Sequence, residues 1–171
     1  MAACEGPEPR KPVEVRSGSF MKASVSRNKE LLAAEEAEIM RLMEADTLHK
    51  YHSSASGTWY YYIRENQAAS LKPVAGDLVT MTYDLRTLSN DTIYSMDEIG
   101  VKSYLVDKEE LFPGLRNSVK LLKEGESATF FFPSSLGFGY HGDNRKIGPN
   151  VPLVATINLL AIEQQTDSIQ K

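Results

Sequence analysis

Residues Leu111 to Gly142, LFPGLRNSVKLLKEGESATFFFPSSLGFGYHG, decide the fold. Pro113 suits the first position of a helix, where a missing N–H goes unnoticed, and Gly125 suits the residue just past the end. Between them Leu115, Val119 and Leu122 recur at intervals of four and three, which draws a single apolar stripe on a helix of about three turns. A striped helix needs an apolar surface to lie on. The next segment, Ala128-Thr129-Phe130-Phe131-Phe132, is short and aromatic and stops at Pro133, so it reads as a strand that supplies that surface.

Strand patterns lie on both sides of this stretch. Thr58 to Ile63 (TWYYYI) reads as a strand, and Pro73-Val74-Ala75-Gly76-Asp77 as a turn. Val79, Met81, Tyr83 and Leu85 alternate with Thr80, Thr82, Asp84 and Arg86, the period of a half-buried strand. Ser89-Asn90-Asp91 breaks the pattern and Thr92-Ile93-Tyr94-Ser95 resumes it. Near the end, Ala155, Ile157, Leu159 and Ala161 alternate with Thr156, Asn158 and Leu160 in one more strand. The expected class is α+β: a mostly antiparallel sheet with a short helix covering one face.

Upstream, residues 23–56 read as an amphipathic helix and a linker. The helical composition runs from Met21 to about Tyr51, with Ser24 or Ser26 as cap, Glu30, Glu35 and Glu36 early where the helix dipole favours anions, and Leu32, Ile39 and Met43 on one face. Such a helix packs on the domain, pairs with a second copy through residues 23–52, or serves as a spacer. Ser53-Ser54-Ala55-Ser56-Gly57 has linker composition. Residues 1–22 form a proline-rich charged tether that buries too little to fold, and residues 164–171 a polar tail. Cys4, the only cysteine, excludes an internal disulfide and a cysteine-based metal cluster. Small residues before it and a tether after it resemble the mature end of a bacterial lipoprotein. The charged and apolar parts of a signal peptide are absent from this chain, so Cys4 is either a lipidation site or an incidental thiol.

The composition bounds the partners. A formal charge of −4 over 171 residues, with no basic run interleaved with aromatics, argues against nucleic acid. The apolar runs are well short of the ~20 residues needed to span a bilayer, which leaves an anchor at Cys4 as the only expected membrane attachment. His49 and His52 have a spacing that suits a metal, but no third ligand is evident, so no metal is expected. Gly137 to Gly142 spells a dinucleotide-binding pattern, yet loop residues follow where such a site needs a helix. Those glycines permit instead a tight loop carrying Phe138 and Tyr140 across a concave surface. Neither a nucleophile frame nor a cofactor signature is present, and what remains is a cup of aromatics.

Together these pieces resemble the FKBP-type peptidyl-prolyl cis-trans isomerases. The matching motifs come in the family's order over residues 57–163: Gly76-Asp77-Leu78-Val79, Thr92-Ile93-Tyr94-Ser95, Leu111-Phe112-Pro113-Gly114-Leu115, Leu122 to Glu126, Phe132 to Gly139, Ile147 to Val154, and Ile157 to Ile162. The resemblance implies a twisted antiparallel sheet wrapped around one short helix, with a prolyl pocket between them. Cys4, the tether, the Glu-rich helix and Gly57-Thr58-Trp59-Tyr60-Tyr61 are similar to a narrower group, the gliding-motility-associated isomerase lipoproteins of Bacteroidetes. That implies a periplasmic chain assisting exported or envelope proteins that contain proline.

By the same resemblance, Tyr83, Tyr94, Phe112 and Phe138 are the catalytic wall, and Leu111, Leu115, Ile147 and Ala155 bind substrate. The Phe112 N–H would hold a substrate carbonyl. An amide loses resonance as it twists, so a pocket that withholds water from the planar, charge-separated form favours the twisted one. No base or nucleophile is required. Several positions depart from the family: Tyr94-Ser95 stands where Phe-Asp is usual, Phe138 for Tyr, Leu115 for Trp and Ala155 for Phe. Asp97, about 7 Å beyond Ser95 along a continuing strand, is a doubtful substitute for the missing carboxylate. A wider or shallower pocket, weaker catalysis and poor macrolide binding are expected. The competing readings are a non-catalytic chaperone that grips proline segments, and a dimerisation helix carrying a spacer domain.

Overall fold

The computed structural model describes residues 17–165. Cys4, most of the expected tether and the end of the expected tail lie outside the described residues. The elements in chain order are α1 (Ser17–Ala45), β1 (His52–Ser53), β2 (Trp59–Arg64), β3 (Leu78–Tyr83), β4 (Leu85–Arg86), β5 (Thr92–Tyr94), α2 (Met96–Ile99), β6 (Lys102–Leu105), α3 (Pro113–Val119), β7 (Ser127–Phe132), a 3₁₀ turn (Ser134–Leu136) and β8 (Leu153–Glu163). The strands form an antiparallel sheet in the order β1-β2-β7-β8-β3-β6, with β4 pairing both β8 and β5.

Every residue of β7 is buried. It lies between β2 and β8, and its alternate side chains enter different cores. Ala128, Phe130 and Phe132 join Leu115, Val119 and Leu122 beneath α3, where the Phe130 and Phe132 rings lie parallel with centroids 6.2 Å apart. Phe131 meets Ile39 and Val154 on the opposite face, with Met43, Tyr51 and Trp59 around them. A continuous aromatic run marks a strand wet on neither side, and each ring so enclosed contributes about 1.5–3 kcal/mol. The sheet therefore has a second covered face, in line with the first alternative for the N-terminal helix, packing on the domain. Its cover is the part of α1 from Leu32 onward. The chain divides at Leu31/Leu32 into two compact units; in the first, Ser26 Oγ donates to Glu30 Oε1 at 3.0 Å.

Several boundaries differ from the pattern. α1 begins at Ser17, inside the expected tether, so Ser24 and Ser26 are interior residues and not caps. It ends at Ala45, six residues before Tyr51. There the Asp46 carboxylate takes the Leu48 N–H at 2.9 Å and the Tyr51 hydroxyl at 2.9 Å and pairs with His49 at 2.7 Å, which turns the chain. α3 is only seven residues long. The Leu121 and Leu122 N–H groups bond to the Ser118 and Val119 carbonyls, a tightening in which Leu122 stays buried outside the helix. Gly125, at φ +81°, sits in the following turn and donates to the Leu159 carbonyl, so its left-handed backbone serves the sheet and not the helix end. β1 and β6 carried no signal strong enough to be expected.

Candidate functional site

Six segments converge on one hollow. β3 and β4 bring Tyr83 and Leu85, β5 brings Tyr94, α2 brings Glu98 and Ile99, β6 begins at Lys102, and the loop after the 3₁₀ turn carries Phe138, Asp143 and Arg145. They enclose an open hollow of about 430 Å³, within the usual range for ligand sites. An adjoining hollow of about 500 Å³ is lined by Asp107 to Phe112 and by Arg116. Phe138 borders both, and the two hollows together make up the candidate groove. The ring is fixed by aromatic contacts: Phe112 lies 5.1 Å from Phe138 and 5.7 Å edge-on from Phe132. Phe112 ends the loop before α3, where Pro113 starts the helix, and its N–H makes no hydrogen bond among the described residues.

The loop that holds Phe138 is tied down at both ends. The Ser134 carbonyl accepts the Gly137 and Gly139 N–H groups at 3.0 and 2.9 Å, and the Gly139 carbonyl accepts the Asn150 N–H at 2.8 Å. Gly142 has φ +67°, and a Cβ there would fall 2.2 Å from the Ile147 carbonyl oxygen, so the turn admits no side chain. At its start, the Ser134 N–H donates to Glu35 Oε2 at 2.7 Å. Glu35 is 6% exposed, and its Oε1 has no partner among the described residues. The expectation that Glu35 serves the dipole of its own helix is thus corrected: it lies well inside α1 and caps a different element.

Tyr94 is held from above and from its tip. Its hydroxyl donates to the Asp143 carboxylate, and Lys146 Nζ stands 4.7 Å over the ring while pairing with Glu98 at 2.6 Å. The bond to Asp143 pushes the Tyr94 phenol above its ordinary value, with burial adding to it. Burial also works to raise Asp143. Hydrogen bonds from the Tyr94 hydroxyl and from the Ile147 and Arg145 N–H groups outweigh it and hold that carboxyl below its ordinary value. Burial alone pushes the Tyr83 phenol up.

Tyr83, Tyr94, Leu111, Phe112, Leu115, Phe138, Ile147 and Ala155 all fall in or against one apolar cluster. Tyr83, Tyr94 and Phe138 face the first hollow, and Leu111, Phe112 and Phe138 the second. Leu115 and Ala155 are 0% exposed and Ile147 3%, so they stand behind the wall and not on it. The two shortened side chains are fully covered, and the space they give up does not open to solvent. Tyr140 is 75% exposed and does not cross the groove. The strand after Tyr94 stops: Ser95 caps α2 by accepting the Glu98 N–H, and Asp97 is exposed. Asp143 supplies the carboxylate instead. Sequence reasoning missed it because it lies 49 residues from Tyr94; the only cue was its place after a glycine-rich turn. Glu98, Ile99, Lys102 and Arg145 were missed too, since a four-residue helix and an edge strand leave little periodicity. His49 stacks on Tyr61 at 4.0 Å and His52 on Tyr60 at 5.4 Å, consecutive residues of β2, so the two rings lie on opposite faces of the strand.

A family model described as FKBP-type peptidyl-prolyl cis-trans isomerase matches residues 69–160. The chain belongs to this family. The probable FKBP-type isomerase FkpA of Neisseria meningitidis serogroup B is 33% identical over 110 residues, covering 64% of this chain and 39% of that protein. FkpA of Aeromonas hydrophila is 32% identical over 112 residues, covering 66% and 40%. The chain thus spans about two fifths of the length of these relatives. The FKBP fold is also found in two solved structures. A peptidyl-prolyl isomerase from Pseudomonas syringae pv. tomato superposes with a TM-score of 0.61 at 22% identity, over 77% of this chain and 95% of that one. FkpA from Escherichia coli gives 0.63 at 19%, over 91% and 76%.

Proposed function

We propose that this chain is a peptidyl-prolyl cis-trans isomerase that rotates Xaa-Pro bonds by taking them out of water. The observation that carries the reading is the gathering of Tyr83, Tyr94, Phe112 and Phe138 around one groove, on a core that includes Leu115, Ile147 and Ala155. The barrier to be lowered is ~20 kcal/mol. A reduction of about 5 kcal/mol gives several thousandfold, at ~1.4 kcal/mol per decade. Desolvation of the twisting amide, with the Phe112 N–H holding a carbonyl, needs neither cofactor nor ionised group. A protease-free assay on an Xaa-Pro peptide tests this, with Tyr83→Ala and Phe112→Ala each expected to lower kcat/KM. Absent catalysis together with suppressed aggregation of an unfolded client would favour the chaperone reading, which the Ser95 and Phe138 departures support.

The proposal extends to context. Clients are proline-containing exported or envelope proteins, and the chain works in the periplasm, held by a lipid at Cys4 as in the gliding-motility-associated group. Cys4, the tether and Gly57 to Tyr61 support this; mass spectrometry of the native N-terminus tests it. Among the described residues no helix is long and apolar enough to cross a membrane. Self-association through residues 23–52 is also proposed. From Leu32 on, that segment covers Phe131 and Val154, so removing all of it would strip the sheet. Val25 and Met40, 52% and 45% exposed, are the positions to change to Glu before sedimentation; an unaltered oligomeric state removes them from assembly.

A further inference from the structure

The strand that carries Tyr94 has little backbone support. β5 is three residues long and, among the described residues, pairs only with the two-residue β4, through an irregular register. Its ring is held instead by two side chains from the turn after Gly142. In that turn the Asp143 N–H donates to the Ile147 carbonyl at 3.0 Å and the Ile147 N–H to Asp143 Oδ1 at 2.8 Å, so the turn is closed on itself. Asp143 takes the Tyr94 hydroxyl, one point on the ring's own axis, about which the ring is still free to rotate. Lys146 supplies the second point. Its Nζ stands 4.7 Å over the ring, donates to the Ile93 carbonyl at 3.2 Å, and meets both Glu98 oxygens at 2.6 and 2.8 Å. Glu98 belongs to α2, which Ser95 caps directly after Tyr94. One ammonium thus joins β5, α2 and the turn. Lys146 does not itself line the hollow that Tyr94 faces, so it acts there through Tyr94.

We propose that Lys146 is a positioning residue for the isomerase: its ammonium locks the Tyr94 ring against the Asp143 turn, so that this part of the wall keeps one orientation while the amide twists. This rests on the groove being the prolyl site. The Lys146 and Glu98 side chains are 49% and 46% exposed, so their ion pair adds little to stability. Its effect comes from where the cation stands, since a charge over the ring face opposes both tilting and rotation of the ring. A wall already in place has no ordering left to do when the bond turns.

The test is a double-mutant cycle in the protease-free assay on an Xaa-Pro peptide, run well below the Tm of every variant. Lys146→Met keeps the length of the stem and removes the charge; Lys146→Arg keeps the charge. Each is made in the parent and in a Tyr94→Leu protein. In the parent, Lys146→Met is expected to lower kcat/KM about fivefold, the size of one exposed cation–ring contact, and Lys146→Arg to stay within about twofold. In the Tyr94→Leu protein, Lys146→Met should change kcat/KM by less than about twofold, because the group it positions is gone. A residue that only stabilised the fold would lower Tm in both backgrounds and leave kcat/KM of the folded protein alone. Lys146→Met within about twofold of the parent, or an equal loss with and without Tyr94, would overturn the proposal. Aromatic NMR reads the hold apart from catalysis: the Tyr94 ring should flip faster in Lys146→Met and at the parent rate in Lys146→Arg. If no peptide is turned over, the catalytic reading fails, and an unchanged flip rate in Lys146→Met overturns the positioning reading separately.

Discussion

Glu35 offers the sharpest test of how α1 supports the groove. Its Oε2 accepts the Ser134 N–H at 2.7 Å; Glu35 is 6% exposed and Ser134 4%. Replacing it with Ala leaves a buried N–H without an acceptor, which costs about 1–3 kcal/mol, and a bond to a charged acceptor sits in the upper part of that range. Relief of a buried carboxylate whose Oε1 has no partner among the described residues offsets some of the loss. A net loss of about 2 kcal/mol is expected, which lowers Tm by about 4–8 °C for a body of this size. Glu35→Gln keeps an oxygen acceptor and should recover about half. Ser134 begins the turn whose carbonyl receives the Gly137 and Gly139 N–H groups, so Phe138 should loosen with it. The assays are urea unfolding and amide hydrogen exchange. Faster exchange is expected at Ser134, Gly137 and Gly139 in the Ala variant, with kcat/KM falling well below its Tm. A Glu35→Ala protein within about 0.5 kcal/mol of the parent, with unchanged exchange at Ser134, would refute the reasoning.

Other expectations follow from the same structure. A Cβ on Gly114 would fall 2.5 Å from Phe132 Cδ1 and 2.8 Å from the Leu136 carbonyl oxygen, so Gly114→Ala should destabilise by about 1–3 kcal/mol in denaturant titration. Ile39→Ala empties a fully buried site between α1 and the sheet and should lose about 2–5 kcal/mol, whereas Met40→Ala, at a 45% exposed position, should be nearly silent. The Tyr94–Asp143 bond should give a flat response over neutral pH. Asp143 is lowered, so its contribution is complete above 3.8 and fades as pH falls through its folded value; Tyr94 is raised, so its contribution is complete below 10.0 and fades as pH rises through its own. Asp143→Asn should therefore be less stable than the parent at pH 7, the gap closing in acid, and a gap that widens below 3.8 would contradict the assignment.

What the sequence determined by itself was local. The Leu115-Val119-Leu122 stripe, the aromatic run of β7 and the alternation in β3 and β8 declare helix and strand because period and side-chain type act over a few residues, whatever lies beyond them. The ordered motifs carried the family with them. Pairings across long separations were decided only by the folded chain: Glu35 with Ser134, Tyr94 with Asp143, and Ile39 with Phe131 are 99, 49 and 92 residues apart. Nothing in local spacing distinguishes a glutamate that stays in water from one that caps a buried turn. The same holds for the groove, where side chains from α2, β6 and two loops meet only when the sheet brings those segments together, because field and burial depend on distance in space and not along the chain.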